Sequence, residues 1–181
     1  ASVRAAFDRI THEIGPIAAL VNNAGIDVIK PFAESTEDEW DRVLATNLKS
    51  VYLVCHEAIP HLRAGGGGAI INVASVAGLR VLAQIGVYCM SKAAVVHMTR
   101  SMALEWGRYN INVNAICPGY IRTEINEHHW ETEAGRKLVQ MLPRKRLGRV
   151  EDLDGLLLLL ASDQSDFVNG AVISADDGFA V

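Results

Sequence analysis

The sequence has few cysteines, no basic block and no long hydrophobic run, and each absence excludes a class of protein. Its 181 residues include three cysteines (Cys55, Cys89 and Cys117) without any Cys-x-x-Cys spacing, which argues against a disulfide framework or a zinc cage. Seventeen Lys and Arg against 21 Asp and Glu leave a net charge of −4, which disfavours nucleic acid and anionic membranes as partners. The longest apolar run, Leu156 to Ala161, is far shorter than a membrane span.

The remaining composition is that of an ordinary globular domain. Half of the residues are hydrophobic (50%) and 21% are charged, a balance without the signature of disorder. The length suits one domain over residues 1–181. We recognise no secretory signal pattern, and unpaired cysteines fit a reducing compartment. The sequence therefore predicts a cytoplasmic single-domain enzyme.

Apolar periodicity switches between helical and strand patterns, and this alternation predicts the fold class. Strands are predicted over 17–21, 69–74, 112–117 and 171–174, with helical segments between them. Such alternation implies an α/β fold with a doubly wound parallel sheet, Rossmann-like in its winding. The run 17–21 is wholly apolar, which predicts a strand buried on both faces. The glycine tract 65–68 follows a helix and precedes a strand, so we interpret it as a turn and not as a phosphate loop.

Tyr88, Lys92 and Ser75 are the strongest candidates for chemistry. Tyr88 and Lys92 lie four positions apart on a predicted helix, so their side chains share a face. An ammonium beside a phenol favours the phenolate and lowers the tyrosine pKa, which suits a general acid/base. Ser75 directly follows a predicted strand, at the end of the sheet where ligands bind in such folds. The alternatives are a solvated Tyr–Lys pair and ordinary turn chemistry for the serine.

Two other strand ends and one helical position also carry unusual residues. Asn22-Asn23-Ala24-Gly25 ends the first predicted strand with amides and small residues, which lets a flat ligand approach the backbone. Pro118-Gly119 ends the third predicted strand and is followed by Ile121 and Thr123. Asn47 lies inside a predicted helix, where asparagine has poor propensity and is expected to bend the helix or expose a carbonyl.

Together these elements resemble the short-chain dehydrogenase/reductase family, which includes 3-oxoacyl-carrier-protein reductases and sugar and alcohol dehydrogenases. The resemblance covers the whole chain in order, from the Asn-Asn-Ala-Gly segment to Asp177-Gly178. The family's Gly-rich turn after its first strand, and its second and third strands, have no counterpart in these residues. We therefore expect the C-terminal part of such a fold, incomplete at the N-terminus with the first strands missing.

The resemblance implies an oxidoreductase that uses NAD or NADP and acts on a small alcohol or ketone. Tyr88 would be the general acid/base, Lys92 would lower its pKa and hold the nicotinamide ribose, Ser75 would orient the substrate oxygen, and Asn47 would hold a relay water. Residues 120–142 would form a substrate lid, and assembly into a homodimer or homotetramer is implied. The implied cofactor contacts are Asn22, Ala24, Gly25, Tyr88, Lys92, Pro118, Gly119, Ile121 and Thr123.

Several alternatives stay open at this stage. The chain could be a truncated, non-catalytic protein that cannot hold a dinucleotide, or a sugar epimerase or dehydratase that shares the Tyr-x-x-x-Lys spacing. His128 and His129 suggest a metal, but adjacent histidines point apart, and we expect exposed lid residues and no metal site. With no strand beside it, strand 17–21 would be an exposed apolar edge that lowers solubility. The sequence names neither the substrate nor the choice between NAD and NADP.

Overall fold

The computed structural model describes residues 2–124 and 126–181. Within that part of the chain, no helix is long and apolar enough to cross a membrane. Its elements, in chain order, are α1 (Val3–Glu13), β1 (Ala19–Asn22), α2 (Glu37–Leu44), α3 (Ser50–Ala64), β2 (Gly68–Val73), α4 (Gly86–Trp106), β3 (Ile111–Pro118), α5 (Glu127–Glu131), α6 (Glu133–Met141), α7 (Asp154–Leu160) and β4 (Val172–Ala175).

The four strands of the described residues form one parallel sheet in the order β1-β2-β3-β4. Apolar side chains from alternate strand positions enter two cores on opposite faces. Ile70 and Val113 pack with α3 and α4 on one face, whereas Ile71 and Ile116 pack with Leu160 of α7 on the other. The predicted α/β class with a parallel, doubly wound sheet is therefore confirmed.

Strand β1 differs from its prediction in position and in burial. The strand runs from Ala19 to Asn22, two residues later than its predicted start. Exposed and half-buried positions alternate along it, and Val21 is 41% exposed. The prediction of a strand buried on both faces is wrong, because the described residues cover the Leu20 face of β1 in part and leave the Val21 face exposed. The strand lies at the edge of the sheet, paired only with β2 in the described chain, as expected for a strand with no neighbour on its other side.

Local sequence signals set the ends of the helices that carry the site. Thr36 and Glu39 form a reciprocal capping box at the start of α2, as their spacing indicates. The helix predicted around Asn47 is divided by a π-helical turn over Ala45–Lys49, which separates α2 from α3. At the other end of the sheet, Gly67 has φ +132° and a Cβ there would lie 2.2 Å from the Asn110 carbonyl oxygen. The glycine tract is thus a turn, as predicted.

Candidate active site

The loop after β2 holds Ser75 against the first turns of α4. Ser75 caps a short 3₁₀ turn over Val76–Gly78, and its Oγ accepts a hydrogen bond of 3.1 Å from the Ala77 N–H. Gly78 then meets the α4 backbone so closely that a Cβ would lie 2.7 Å from the Lys92 carbonyl carbon. The absence of a side chain at Gly78 therefore permits the contact that brings Ser75 to the Tyr88 helix.

Lys92 is a buried ammonium. Its side chain extends from α4 into the sheet, where Nζ donates a hydrogen bond of 2.8 Å to the carbonyl oxygen of Val73 at the end of β2. Only 4% of the residue is exposed, and burial lowers its pKa to about 8. The cause is desolvation, which disfavours the charged form of an amine.

Tyr88 is a half-buried phenol that lies next to Ser75 and Lys92. Lys92 Nζ lies 5.7 Å from the centre of its ring. Burial raises the Tyr88 pKa, the Ser75 hydroxyl acts in the opposite direction as a hydrogen-bond partner, and Asp27 adds to the increase. The expectation that Lys92 lowers this pKa is wrong for this structure, because desolvation is the larger effect and the ammonium is directed to the Val73 carbonyl.

Asn47 connects the loop after β1 to α4. It is 1% exposed and lies in the π-helical turn. Its Oδ1 accepts from the Ile26 N–H and its Nδ2 donates to the Ile26 carbonyl, both at 2.8 Å. Nδ2 also donates to Ser91 Oγ at 3.0 Å, and Ser91 donates in turn to the Tyr88 carbonyl at 2.8 Å. Sequence reasoning singled out Asn47 but missed this clamp; the relay water stays a prediction.

Gly25 lies where the side chains of Asn47 and Lys92 converge. A Cβ at Gly25 would lie 3.3 Å from Lys92 Nζ and 3.7 Å from Asn47 Oδ1. The three residues therefore define a polar floor beside Tyr88. Asn47 lies in a π-helical turn, a rare feature that concentrates at functional sites. A planar ligand can approach the Lys92 ammonium over this floor because Gly25 has no side chain.

The other residues expected to contact a cofactor lie at the ends of two strands, β1 and β3. Asn22 faces into the sheet, where its amide donates to Asn72 at 2.8 Å and to the Cys55 sulfur at 3.2 Å. Ala24 is exposed next to Gly25. The strands are parallel, so the carboxyl end of β3 lies at the same end of the sheet as that of β1. Pro118 is the last residue of β3, and the Gly119 N–H donates to the Ala175 carbonyl at 3.0 Å.

Ile121 and Thr123 lie beyond the end of β3, at the start of the segment expected to be a lid. Ile121 pairs with Gly148 in an isolated parallel bridge. The Thr123 N–H donates to Asn126 Oδ1 at 2.8 Å. Ile121 also lines a cavity of about 410 Å³ with Tyr120, Arg146 and other residues of the C-terminal region. Ser75, Tyr88 and Lys92 are not among the residues that line this cavity.

Two cysteines and two adjacent histidines lie near the site. Cys89 and Cys117 are buried beside the site, and burial raises the pKa of the Cys117 thiol. His128 and His129 are exposed on α5. Within residues 2–124 and 126–181, no three His, Cys, Asp or Glu side chains group as metal ligands.

Sequence reasoning missed one group of residues near the site, which we call the aromatic wall: Arg80, Tyr120, Trp130 and Phe179. Tyr120 makes edge contacts with Trp130 at 5.8 Å and with Phe179 at 5.2 Å between ring centres. The Arg80 guanidinium lies 4.6 Å from the Phe179 ring centre. These residues come from three segments, around Arg80, within 120–142 and around Phe179, that are distant in sequence, so no local spacing signals their contact.

Comparisons with known proteins agree with this geometry. The family model described as Enoyl-(Acyl carrier protein) reductase matches residues 1–180. D-threitol dehydrogenase of Mycolicibacterium smegmatis is 36% identical over 181 residues, which are 100% of this chain and 70% of that protein. The 5-keto-D-gluconate 5-reductase of Escherichia coli K12 is 40% identical over 180 residues, which are 99% of this chain and 71% of the relative.

Solved structures show the same relation. Gluconate 5-dehydrogenase from Burkholderia cenocepacia, solved in complex with NADP and tartrate, superposes with a TM-score of 0.93 at 37% identity, over 98% of this chain and 70% of that one. The chain therefore belongs to the short-chain dehydrogenase/reductase family, whose matched members are dehydrogenases and reductases of CH–OH groups. It spans about 70% of the length of these relatives.

Proposed function

We propose that the protein transfers a hydride between NAD(P) and an alcohol or ketone, with Tyr88 as the general acid/base. The observation that carries this proposal is the cluster at the start of α4. A half-buried phenol faces the Ser75 hydroxyl and has a buried ammonium 5.7 Å from its ring centre. A hydroxyl to orient the substrate oxygen, a group to move its proton and a cation nearby are the parts that this reaction needs from a protein.

The residues of this chain fit the nicotinamide end of such a cofactor. The floor formed by Gly25, Asn47 and Lys92 is open at Gly25, and the ammonium uses one hydrogen bond to Val73, which leaves further donors for a ribose hydroxyl. Pro118, Gly119 and Thr123 would line the other side of the ring. When bound, the nicotinamide accepts the hydride in oxidation and returns it in reduction.

The protein's own groups handle the proton. In oxidation, the phenolate form of Tyr88 would take the hydroxyl proton and the O–H electron pair would become the second C=O bond, while a nicotinamide held by these residues would supply the hydride acceptor. In reduction, Tyr88 donates a proton to the oxygen as the hydride arrives at carbon, and the Ser75 hydroxyl donates a hydrogen bond to that oxygen. Because burial raises the Tyr88 pKa, the phenol is protonated near neutral pH, the form that donates to a ketone.

The test of Tyr88 as the general acid/base is Tyr88→Phe, a substitution that removes the hydroxyl and keeps the aromatic ring. Since general acid–base catalysis contributes about 10²–10⁴-fold, we expect turnover to fall by at least ~10²-fold while folding is retained. Tyr109→Phe is the matched control, because Tyr109 lies at the far end of α4 under Arg63. If Tyr88→Phe and Tyr109→Phe turn over equally fast, Tyr88 does not carry the proton.

A second candidate function is a non-catalytic member of the family. The sequence leaves this alternative open. Titration with NADPH, followed by its fluorescence, separates the two candidates. Saturable binding that weakens in Lys92→Ala supports the enzyme, and no binding supports the non-catalytic alternative.

A further inference from the structure

The aromatic wall joins the loop after β2, the end of β3, the lid segment and the C-terminal segment on one side of the candidate site. The Arg80 guanidinium donates a hydrogen bond of 2.6 Å to the Phe179 carbonyl and stacks on its ring. Tyr120 packs against the same ring. The Arg80 N–H donates to the Val76 carbonyl at 2.9 Å, one residue after Ser75, and Cys89, the residue after Tyr88, donates to the Leu82 carbonyl at 3.8 Å. Arg80 therefore lies on the short loop that runs from Ser75 along the first turn of α4.

Arg80 is an exposed cation near the site that has only neutral partners in the described residues, whereas Lys92, which also has a neutral partner, is buried. Arg122 pairs with Glu127, Arg146 pairs with Asp177, and Lys30 pairs with Glu39. No carboxylate among residues 2–124 and 126–181 forms an ion pair with Arg80. A guanidinium has five N–H donors in a planar fork that matches a carboxylate, so donors remain after the bond to Phe179.

Charge is distributed unevenly across the mouth of the site. Asp27 follows β1, is exposed, and raises the Tyr88 pKa through its negative charge. Arg80 follows β2, and its positive charge lowers the pKa of Tyr120 against the larger effect of burial. The Asp176 carboxylate also lies on the Arg80 side, but both of its oxygens accept backbone N–H groups, those of Gly178 and Ala180. Arg80 is therefore the group on these loops that attracts the negative end of a substrate, and Asp27 repels it.

We propose that Arg80 binds the carboxylate of the substrate, and that the protein therefore acts on hydroxy acids or keto acids in preference to uncharged polyols. The proposal rests on the proposed function, because it places the acid end of the substrate at Arg80 and the reacting carbon at Tyr88. Relatives of both kinds match this chain, since threitol is uncharged and 5-keto-D-gluconate is an acid. Because the Phe179 carbonyl and ring do not neutralise the charge of Arg80, we expect the protein to prefer the substrate that carries a carboxylate.

The kinetic experiment compares D-gluconate with D-glucitol, which has the same carbon chain without the carboxylate. We expect the protein to prefer D-gluconate in kcat/KM, and Arg80→Gln to lower that value at least tenfold more for D-gluconate than for D-glucitol. Arg80→Lys keeps the charge and should recover part of the loss. Arg108→Gln is the matched control, because Arg108 also stacks on an aromatic ring, that of Tyr109 at 4.8 Å, at the opposite end of the sheet.

A binding experiment keeps this inference separate from the proposed function. Calorimetric titration of the protein with D-gluconate, 5-keto-D-gluconate and tartrate needs no turnover. Binding of one of these acids that is lost in Arg80→Gln and kept in Arg108→Gln supports the proposal, even if no alcohol is oxidised. The proposal is overturned if none of the three acids binds, if Arg80→Gln binds them normally, or if it weakens D-gluconate and D-glucitol turnover equally.

Discussion

Replacing Lys92 with methionine removes a buried ammonium and keeps an unbranched apolar side chain. Lys92 is 4% exposed and its pKa is lowered by burial from 10.5 to about 8. The difference, 10.5 − 8, is about 2.5 units, and at about 1.36 kcal/mol per unit it corresponds to about 3 kcal/mol. This is the free energy by which burying the charged form opposes folding at neutral pH.

The pH at which this free energy appears follows from proton linkage. Lys92 is charged in both states below pH 8 and neutral in both above pH 10.5, so the unfolded chain binds more protons only between these values. Stability from this residue therefore rises as the pH rises through that window. The Lys92→Met protein lacks this slope, so its stability relative to the unsubstituted protein is highest at pH 7 and falls by up to about 3 kcal/mol toward pH 10.5.

The measurement is urea unfolding of both proteins at pH 7, 8, 9 and 10. The hydrogen bond from Nζ to the Val73 carbonyl is also lost, at about 1.5–3 kcal/mol for a charged donor. That loss changes the absolute difference in stability at pH 7, whereas the pH dependence reports the shifted pKa. Lys137→Met, at a side chain that is 74% exposed, is the control. A Lys92→Met difference that stays constant from pH 7 to 10 would refute the reasoning.

Two further substitutions test how the site is held together. Asn47→Ala leaves the Ile26 N–H and carbonyl without their partner, and at about 1–3 kcal/mol for each unsatisfied group urea unfolding should show a loss of about 2–6 kcal/mol; unchanged stability would argue against the clamp. Gly78→Ala places a Cβ 2.7 Å from the Lys92 backbone, so the Ser75 loop must shift and kcat should fall at least ~10-fold by misplacement of the hydroxyl. Gly155→Ala, where a Cβ meets nothing within 4 Å, is the control, and equal activities would contradict the role of Gly78.

The sequence allowed prediction of the fold class and of the cluster around Tyr88, because both depend on local spacing. Strand and helix periods determine the parallel sheet, and a spacing of four places Lys92 beside Tyr88. Strand β1 was harder to predict, because an apolar run looks the same in a central strand and at an edge. Whether the Val21 side chain is covered depends on what packs against that face of the sheet, which local pattern does not encode.

The electrostatics of the site required the structure. Spacing alone places an ammonium near a phenol and so favours a lowered Tyr88 pKa. It does not reveal how deeply the pair is buried, or that the ammonium is bonded to Val73. The Asn47 clamp and the aromatic wall were missed for a related reason. Their partners, Ile26 and Phe179, are distant in sequence and contribute backbone groups, which leave no pattern among side chains.

The buried Lys92 and the clamp around it are best understood as one arrangement. A buried ammonium opposes folding, and desolvation raises the Tyr88 pKa, so the site lowers stability in return for a phenol and an amine held in fixed positions. Asn47, Ser91 and Gly78 oppose that cost by joining the loops after β1 and β2 to α4. Trade-offs between stability and activity of this kind concentrate at functional sites. A Lys92 variant that gains stability at neutral pH and loses cofactor binding would show both sides of the trade-off in one side chain.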